Sequence, residues 1–414
     1  MRNNLSVRIL VGLVVGAIAG SMCNALMPDS PVLDGFVRYF TEPVGSLFLR
    51  LLFMLVVPLI VSALALGVAG LGDMRHLGRV GGRTLAYTAT VSIIAVLLGV
   101  FLVNLIRPGD GLSPETKEAI RATLIAPPGL ANTGPTGIDF LVNLVPANIV
   151  RAMADGDMLA VMVFSLFLGI GLLSAPATDS VRSFRSALDG LFEVVMRMLG
   201  HVISLAPIGV ACLLFTVTAR TGYDVLRQLG AFVFVVLLAL AIQQFVVYSF
   251  FVRVLGKMSP LAFFRAVRPA MLTAFSTASS NATLPTALLV AERDLKLPEH
   301  VSRFVLTLGA TANQNGTALF EGITVLFLAQ FYGVDLSFAQ QLMVVSICVL
   351  GGIGTAGVPA GSLPVIAMIL KLVGVPVEGI GMIVGVDRFL DMCRTTINVT
   401  GDLSAAVVVS RYEK

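Results

Sequence analysis

The chain has 414 residues, of which 57% are hydrophobic and only 13% charged, with a formal net charge of +4. Soluble domains carry about 25% charged residues and are less apolar, so this composition excludes an ordinary soluble protein and points to a polytopic membrane protein in a lipid bilayer. The small positive excess is spread out rather than clustered, which excludes nucleic acid as a partner.

Taken from the N-terminus, MRNNLSVRIL is charged and then apolar, as in a signal peptide. Several more apolar runs follow and no small-residue cleavage site stands out, so it reads as a first span rather than a removed leader. Runs long enough to cross a bilayer fall at 5–28, 43–70, 84–106, 158–175, 187–219 and 226–254. Between 107 and 157 lies a polar, Pro/Gly-rich connection. Basic residues alternate in step with these spans: Arg2 and Arg8; Arg75, Arg79 and Arg83; Arg182 and Arg185; Arg253, Lys257, Arg265 and Arg268; Arg411 and Lys414. The positive-inside rule places all of them, and both termini, on the cytoplasmic side. Cys23, Cys212, Cys348 and Cys393 lie far apart and read as small hydrophobes.

After residue 255 the pattern changes. Two segments, 274–286 (AFSTASSNATLPT) and 350–365 (LGGIGTAGVPAGSLPV), have apolar flanks and small, polar, Pro-containing centres. Each is followed by a helical stretch with polar residues at its middle, Thr311 to Thr317 and Asp387 to Asp402. A re-entrant hairpin and then a polar helix, twice over, is the pattern of an inverted-repeat transporter core. Non-helical backbone at membrane depth is tolerated only where it is buried in protein or lines a cavity. In the last stretch Asp387, Asp391, Arg394, Asn398 and Asp402 are spaced 4, 3, 4 and 4 apart. At 100° per residue they share one face about 80° wide. Ionisable residues on one stripe of an apolar helix mark a substrate or ion pathway.

Four motifs in this order, SSNATLP (279–285), NQNGT (313–317), GTAGVPAG (354–361) and DMCRTTINVTGD (391–402), with LAPIGV (205–210) upstream, resemble the glutamate transporter family of dicarboxylate/amino acid:cation symporters. The family includes archaeal aspartate transporters and mammalian excitatory amino acid transporters. The resemblance implies an all-α polytopic membrane protein with eight transmembrane helices and two re-entrant hairpins. It implies a homotrimer and an elevator mechanism. The chain then divides as scaffold helices one and two (1–83), transport-domain helix three (84–106), an extracellular loop (107–157), scaffold helices four and five (158–222), helix six (223–257), hairpin one (258–300), helix seven (301–333), hairpin two (334–375) and helix eight (376–414). By the same resemblance Arg394 pairs with the side-chain carboxylate of an acidic substrate. A guanidinium offers a rigid bidentate fork for that group. Asp391 takes the α-amino group, and Thr317, Thr395 and Asn398 line the site. Ser279 and Ser280, at the end of a broken helix, suit the α-carboxylate, although Asn281 stands where the family has a third serine. Val358 and Gly361 belong to a flexible lid.

The coupling ion is H+, Na+ or both, and no other cofactor is implied. Gly309, Asn313, Asn398 and Asp402 match one sodium site of the family. Thr311, Gly352, Ile353 and Thr355 match a second, mostly carbonyl, site. A third site is degenerate. Asn315 stands in place of its aspartate, and Thr88, Val91 and Ser92 occupy its helix-three positions, so two oxygen ligands and the only charge are gone. Gln314 replaces the methionine of the same motif. Glu321, four residues after Thr317, matches a glutamate that carries a proton in the mammalian glutamate carriers. Burial of a carboxyl in an apolar bundle disfavours its ionised form. Met392 replaces an arginine of the mammalian members, which disfavours potassium countertransport. These readings give a proton-coupled acidic amino acid symporter. A sodium-coupled symporter and a C4-dicarboxylate symporter are the alternatives.

Other classes fit less well. Gly352, Gly354 and Gly357 satisfy G-x-G-x-x-G but lack a preceding strand. Asn281, Asn315 and Asn398 head formal glycosylation sequons inside the predicted membrane core. His76, His201 and His300 lie far from the polar cluster, so Ser279 and Ser280 have no evident base for hydrolysis. An ion channel would lack saturable exchange. Short loops and the resemblance place the chain in a bacterial inner membrane.

Overall fold

A computed structural model describes residues 2–27, 30–69, 74–110, 145–155, 158–176, 178–221, 224–354 and 362–413. The described residues are helical, with no strand among them. Two of the predicted stretches, most of the 107–157 connection and the tip of the second hairpin at 355–361, lie outside them.

Helix α1 (Arg2–Leu26) packs lengthwise on a later helix, α9 (Ala206–Thr221). The reason is a row of small residues. Gly12, Gly16 and Gly20 recur every four residues, and a Cβ at each would run into backbone of Pro207, Ala211 or Phe215. Helices in lipid gain by packing rather than by escaping water, so such rows set close contacts. Gly16→Val is expected to destabilise the protein by about 1–3 kcal/mol, the usual cost of overpacking. A lowered melting temperature in detergent, with Val11→Leu on the exposed face unaffected, checks this.

The second predicted span is built from pieces. These are α2 (Pro31–Phe36), a π-helical turn (Val37–Thr41), α3 (Glu42–Met54) and α4 (Val56–Ala69). It breaks at Leu55 because Pro58 has no N–H for the Met54 carbonyl. Next comes α5 (Met74–Ile106). Beyond α6 (Ile149–Asp155), α7 (Met158–Ser174) packs on α4. The run 187–219, expected as one span, is two helices. The first is α8 (Asp179–Ser204) and the second is α9, bent 54° from it. Pro207 accounts for the break in the same way. Then α10 (Asp224–Ile242), a π-helical turn (Gln243–Val247) and α11 (Tyr248–Val254) form one long apolar element.

Helix α12 (Pro260–Thr277) ends at Ala278, whose left-handed backbone (φ 48°, ψ 41°) reverses the chain. Helix α13 (Ser280–Leu289) and its following turn run back along α12. Helices α14 (Glu299–Ala312) and α15 (Asn315–Phe331) are separated by an unwound Asn313–Gln314 step. Helices α16 (Phe338–Gly354) and α17 (Ser362–Leu372) both pack on α15. Helix α18 (Ile380–Arg411) runs through the middle, against α9, α10, α12, α13, α14 and α15.

Among the described residues three helices are long and apolar enough to cross a membrane, at 31–66, 80–106 and 225–254, and the bent α8–α9 pair is a fourth candidate. Helix α18 carries too many charges to read as a simple span, and α14–α15 is interrupted. Large apolar side chains face outward along α1, α7, α8 and α10, including Val15, Phe167, Val194 and Phe234. That is the surface of a protein solvated by lipid rather than water.

Candidate substrate and ion site

Helix α18 can carry its charges because neighbours enclose it. Asp387, Asp391, Arg394, Thr395, Asn398 and Asp402 are all buried, and Arg394 is only 1% exposed. Its Nη2 donates to Asp391 Oδ1 at 2.9 Å and lies 3.0 Å from Asp387 Oδ1. Its guanidinium sits over the Phe320 ring, 3.9 Å from the centroid, a contact that stabilises a desolvated cation. Nε and Nη1 of Arg394 have no hydrogen-bond partner. Both ion pairs are thus made through Nη2, and the other two guanidinium nitrogens take no part in them. Arg388 Nη1 lies 3.7 Å from Asp391 Oδ2.

The break between α14 and α15 faces this helix. Asn313 (φ −113°, ψ 66°) and Gln314 (φ −97°, ψ 53°) leave helical geometry. Asn398 holds the break. Its Nδ2 donates to Gln314 Oε1 at 2.5 Å and to Thr317 Oγ1 at 3.1 Å, and its Oδ1 accepts from the Gly316 N–H at 2.8 Å. The Gln314 N–H donates to the Gly352 carbonyl at 3.3 Å, so the end of α16 meets the same point. One turn further along α18, Asp402 Oδ1 accepts from Asn313 Nδ2 at 2.8 Å. Any side chain at Gly309 would strike the Asp402 carboxylate. Gly309, Asn313 and Asp402 therefore meet, with Asn398 one turn earlier on α18, and Asn313 Oδ1 has no hydrogen-bond partner among the described residues. Of the second predicted set, only Gly352 is placed at the break. The side chains of Thr311 and Ile353, and all of Thr355, lie outside what is described, as do Val358 and Gly361.

Thr88, Val91 and Ser92 are buried on α5. Ser92 Oγ donates to Asn315 Oδ1 at 2.6 Å, Asn315 Nδ2 donates to the Tyr248 hydroxyl at 3.3 Å, and that hydroxyl donates to the Ile397 carbonyl at 3.1 Å. Each group in this chain is satisfied by a neutral neighbour. At the first hairpin, Ser279 Oγ caps α13 by accepting from the Ala282 N–H at 3.3 Å. Ser280 Oγ is buried and without a partner. The αL conformation of Ala278 costs a residue with a Cβ about 1–3 kcal/mol, strain of a kind that clusters at functional sites.

Glu321 is fully buried and neither carboxyl oxygen has a hydrogen-bond partner. A Cβ placed on Gly351 would lie 3.2 Å from Glu321 Oε2 and 3.0 Å from Val365. The carboxyl is thus lodged where α16 and α17 meet α15, one residue along from Phe320. The sequence reading missed Phe320, Tyr248 and Arg388. Phe320 and Tyr248 look like ordinary core aromatics. Arg388 falls outside the stripe of charges, although its spacing three before Asp391 was visible.

A lipid-facing helix bundle with a charged central helix held against unwound backbone defines a secondary-transporter core. The chain belongs to the Sodium:dicarboxylate symporter family, whose profile matches residues 5–412. It is 34% identical to the Proton/glutamate-aspartate symporter of Escherichia coli over 99% of this chain and 93% of that protein. It is 32% identical to the Proton/sodium-glutamate symport protein of Bacillus subtilis, covering 99% and 92%. The C4-dicarboxylate transport protein of Bacillus subtilis is 30% identical, covering 99% and 94%.

Proposed function

We propose that this protein is a secondary active symporter of acidic amino acids, L-aspartate or L-glutamate, driven by protons carried on Glu321. The observation that carries the reading is Arg394, buried and ion-paired with two carboxylates yet holding two unpaired donors. Those donors suit a substrate side-chain carboxylate, and Asp391 suits the α-ammonium beside it. The α13 N-terminus with Ser279 and Ser280 takes the α-carboxylate, and Thr317, Thr395 and Asn398 line the remaining wall. The glutamate and aspartate named for the relatives agree with this chemistry.

The carrier works as a homotrimer in the inner membrane with both termini cytoplasmic. Residues 84–106 and 223–414 move as the transport domain against a scaffold of 1–83 and 158–222. Uptake into proteoliposomes, driven separately by a pH gradient and a sodium gradient, tests the assignment. Accumulation of labelled aspartate under the pH gradient alone supports it. Preferential block of that uptake by succinate would instead favour a C4-dicarboxylate carrier.

A sodium-coupled reading has its own observation. The Asn313 Oδ1 atom is buried and orphaned next to Asp402 and Gly309, which fits a small hard cation as co-substrate at that point. Of the second set, Thr311, Gly352, Ile353 and Thr355, only Gly352 is placed at the break, its carbonyl accepting from the Gln314 N–H. The third set is closed by the neutral Ser92–Asn315–Tyr248 chain. Asn315→Asp restores a charge there. It is expected to raise sodium stimulation of uptake by at least about threefold, from a Coulomb gain of roughly 1 kcal/mol or more. Rates measured with and without sodium at fixed pH check this.

A further inference from the structure

The charges around Arg394 do not balance without Arg388. Asp387 and Asp391 contribute two negative charges, and Arg394 one positive charge. Arg388 supplies the second cation from a half-buried position, its side chain 19% exposed, 3.7 Å from Asp391 Oδ2. The distance and the missing hydrogen bond on Oδ2 make this a Coulombic contact and leave the oxygen open to a donor. The other Asp391 oxygen accepts from Arg394.

We infer that Arg388 is a positioning residue for substrate, acting through Asp391 to keep the empty site neutral and to hold that carboxylate when Arg394 turns to an incoming anion. The inference rests on the acidic amino acid reading above. An acidic amino acid carries one net negative charge and meets two fixed carboxylates. With Arg388 the loaded site carries one net negative charge, and without it two. Arg388 also gives Asp391 a second cation. When the Arg394 fork swings to the substrate, Asp391 is not left unpaired, and the Arg394–Asp391 ion pair opens at lower cost. Side-chain charge is what this role needs, with length second and apolar packing not at all.

The test uses the full-length protein in proteoliposomes, with labelled aspartate and three variants: Arg388→Gln, Arg388→Met and Arg388→Lys. Gln and Met are expected to raise KM for aspartate about tenfold, as expected for losing one close charge partner, with kcat nearly unchanged. Lys is expected to stay within about twofold of wild type. Melting temperatures of the detergent-purified variants identify those that fold. If Gln fails to fold, Met against Lys still reads the charge. KM values equal to wild type in the neutral variants overturn the inference. So does a Lys variant as impaired as Gln, or a loss confined to kcat. Absence of saturable aspartate uptake by wild-type protein overturns the substrate reading and this inference together, whereas the variant results overturn this one alone.

Discussion

Arg394→Lys is expected to lower the apparent affinity for acidic amino acids by about a hundredfold while leaving the protein folded. Lysine keeps the positive charge that Asp387 and Asp391 require. It cannot offer two parallel N–H groups to a carboxylate, nor lie flat over Phe320 as the guanidinium does. Arg394→Cys is expected to do more damage, because it leaves two buried carboxylates with only the longer, 3.7 Å contact of Arg388 to Asp391 as counter-charge. Breaking a buried pair in this way costs about 3–5 kcal/mol. Comparing the two separates recognition from stability. KM is read from initial uptake rates, and folding from size-exclusion profiles and melting temperature. A Lys variant with near-wild-type KM would refute the bidentate role of Arg394.

Glu321→Gln is expected to abolish accumulation driven by a pH gradient while sparing exchange of internal for external substrate. The carboxyl is fully buried with no hydrogen-bond partner. A charged carboxylate so placed costs several kcal/mol, whereas the neutral acid costs far less. The buried site therefore favours the neutral acid, and glutamine is a permanent copy of that neutral form. On the proposed proton coupling, net transport requires the return of an empty carrier after the proton has left, a step glutamine does not permit. Exchange needs only the loaded form, which glutamine preserves. Counterflow at wild-type rate together with loss of ΔpH-driven uptake is the expected pair of results. Undiminished ΔpH-driven uptake would remove Glu321 from the coupling mechanism and move the weight to sodium at Gly309, Asn313 and Asp402.

The polar stripe of α18 and the interruption at 274–286 were legible because lipid makes polar and non-helical positions conspicuous. The same reasoning did not show that the run 187–219 is bent into two helices. Hydropathy averages over Pro207, while the missing N–H bends the chain there by 54°. It also gave no hint that Phe320 supports Arg394 or that Tyr248 closes the chain through Asn315, since aromatic residues are expected anywhere in an apolar core.

By itself, then, the sequence determined the membrane class, the helical architecture, the family and the short set of charged and polar residues. Each follows from composition or from spacing along one chain. Only the tertiary structure decided which of those groups neutralise one another. Asp391 is shared between Arg388 and Arg394, Asn398 pins the α14–α15 break, and Glu321 is left without a hydrogen-bond partner among the described residues. Such pairings join residues far apart along the chain, as in Ser92 with Asn315, 223 positions away. They depend on distances of a few ångströms between helices, which no one-dimensional pattern contains.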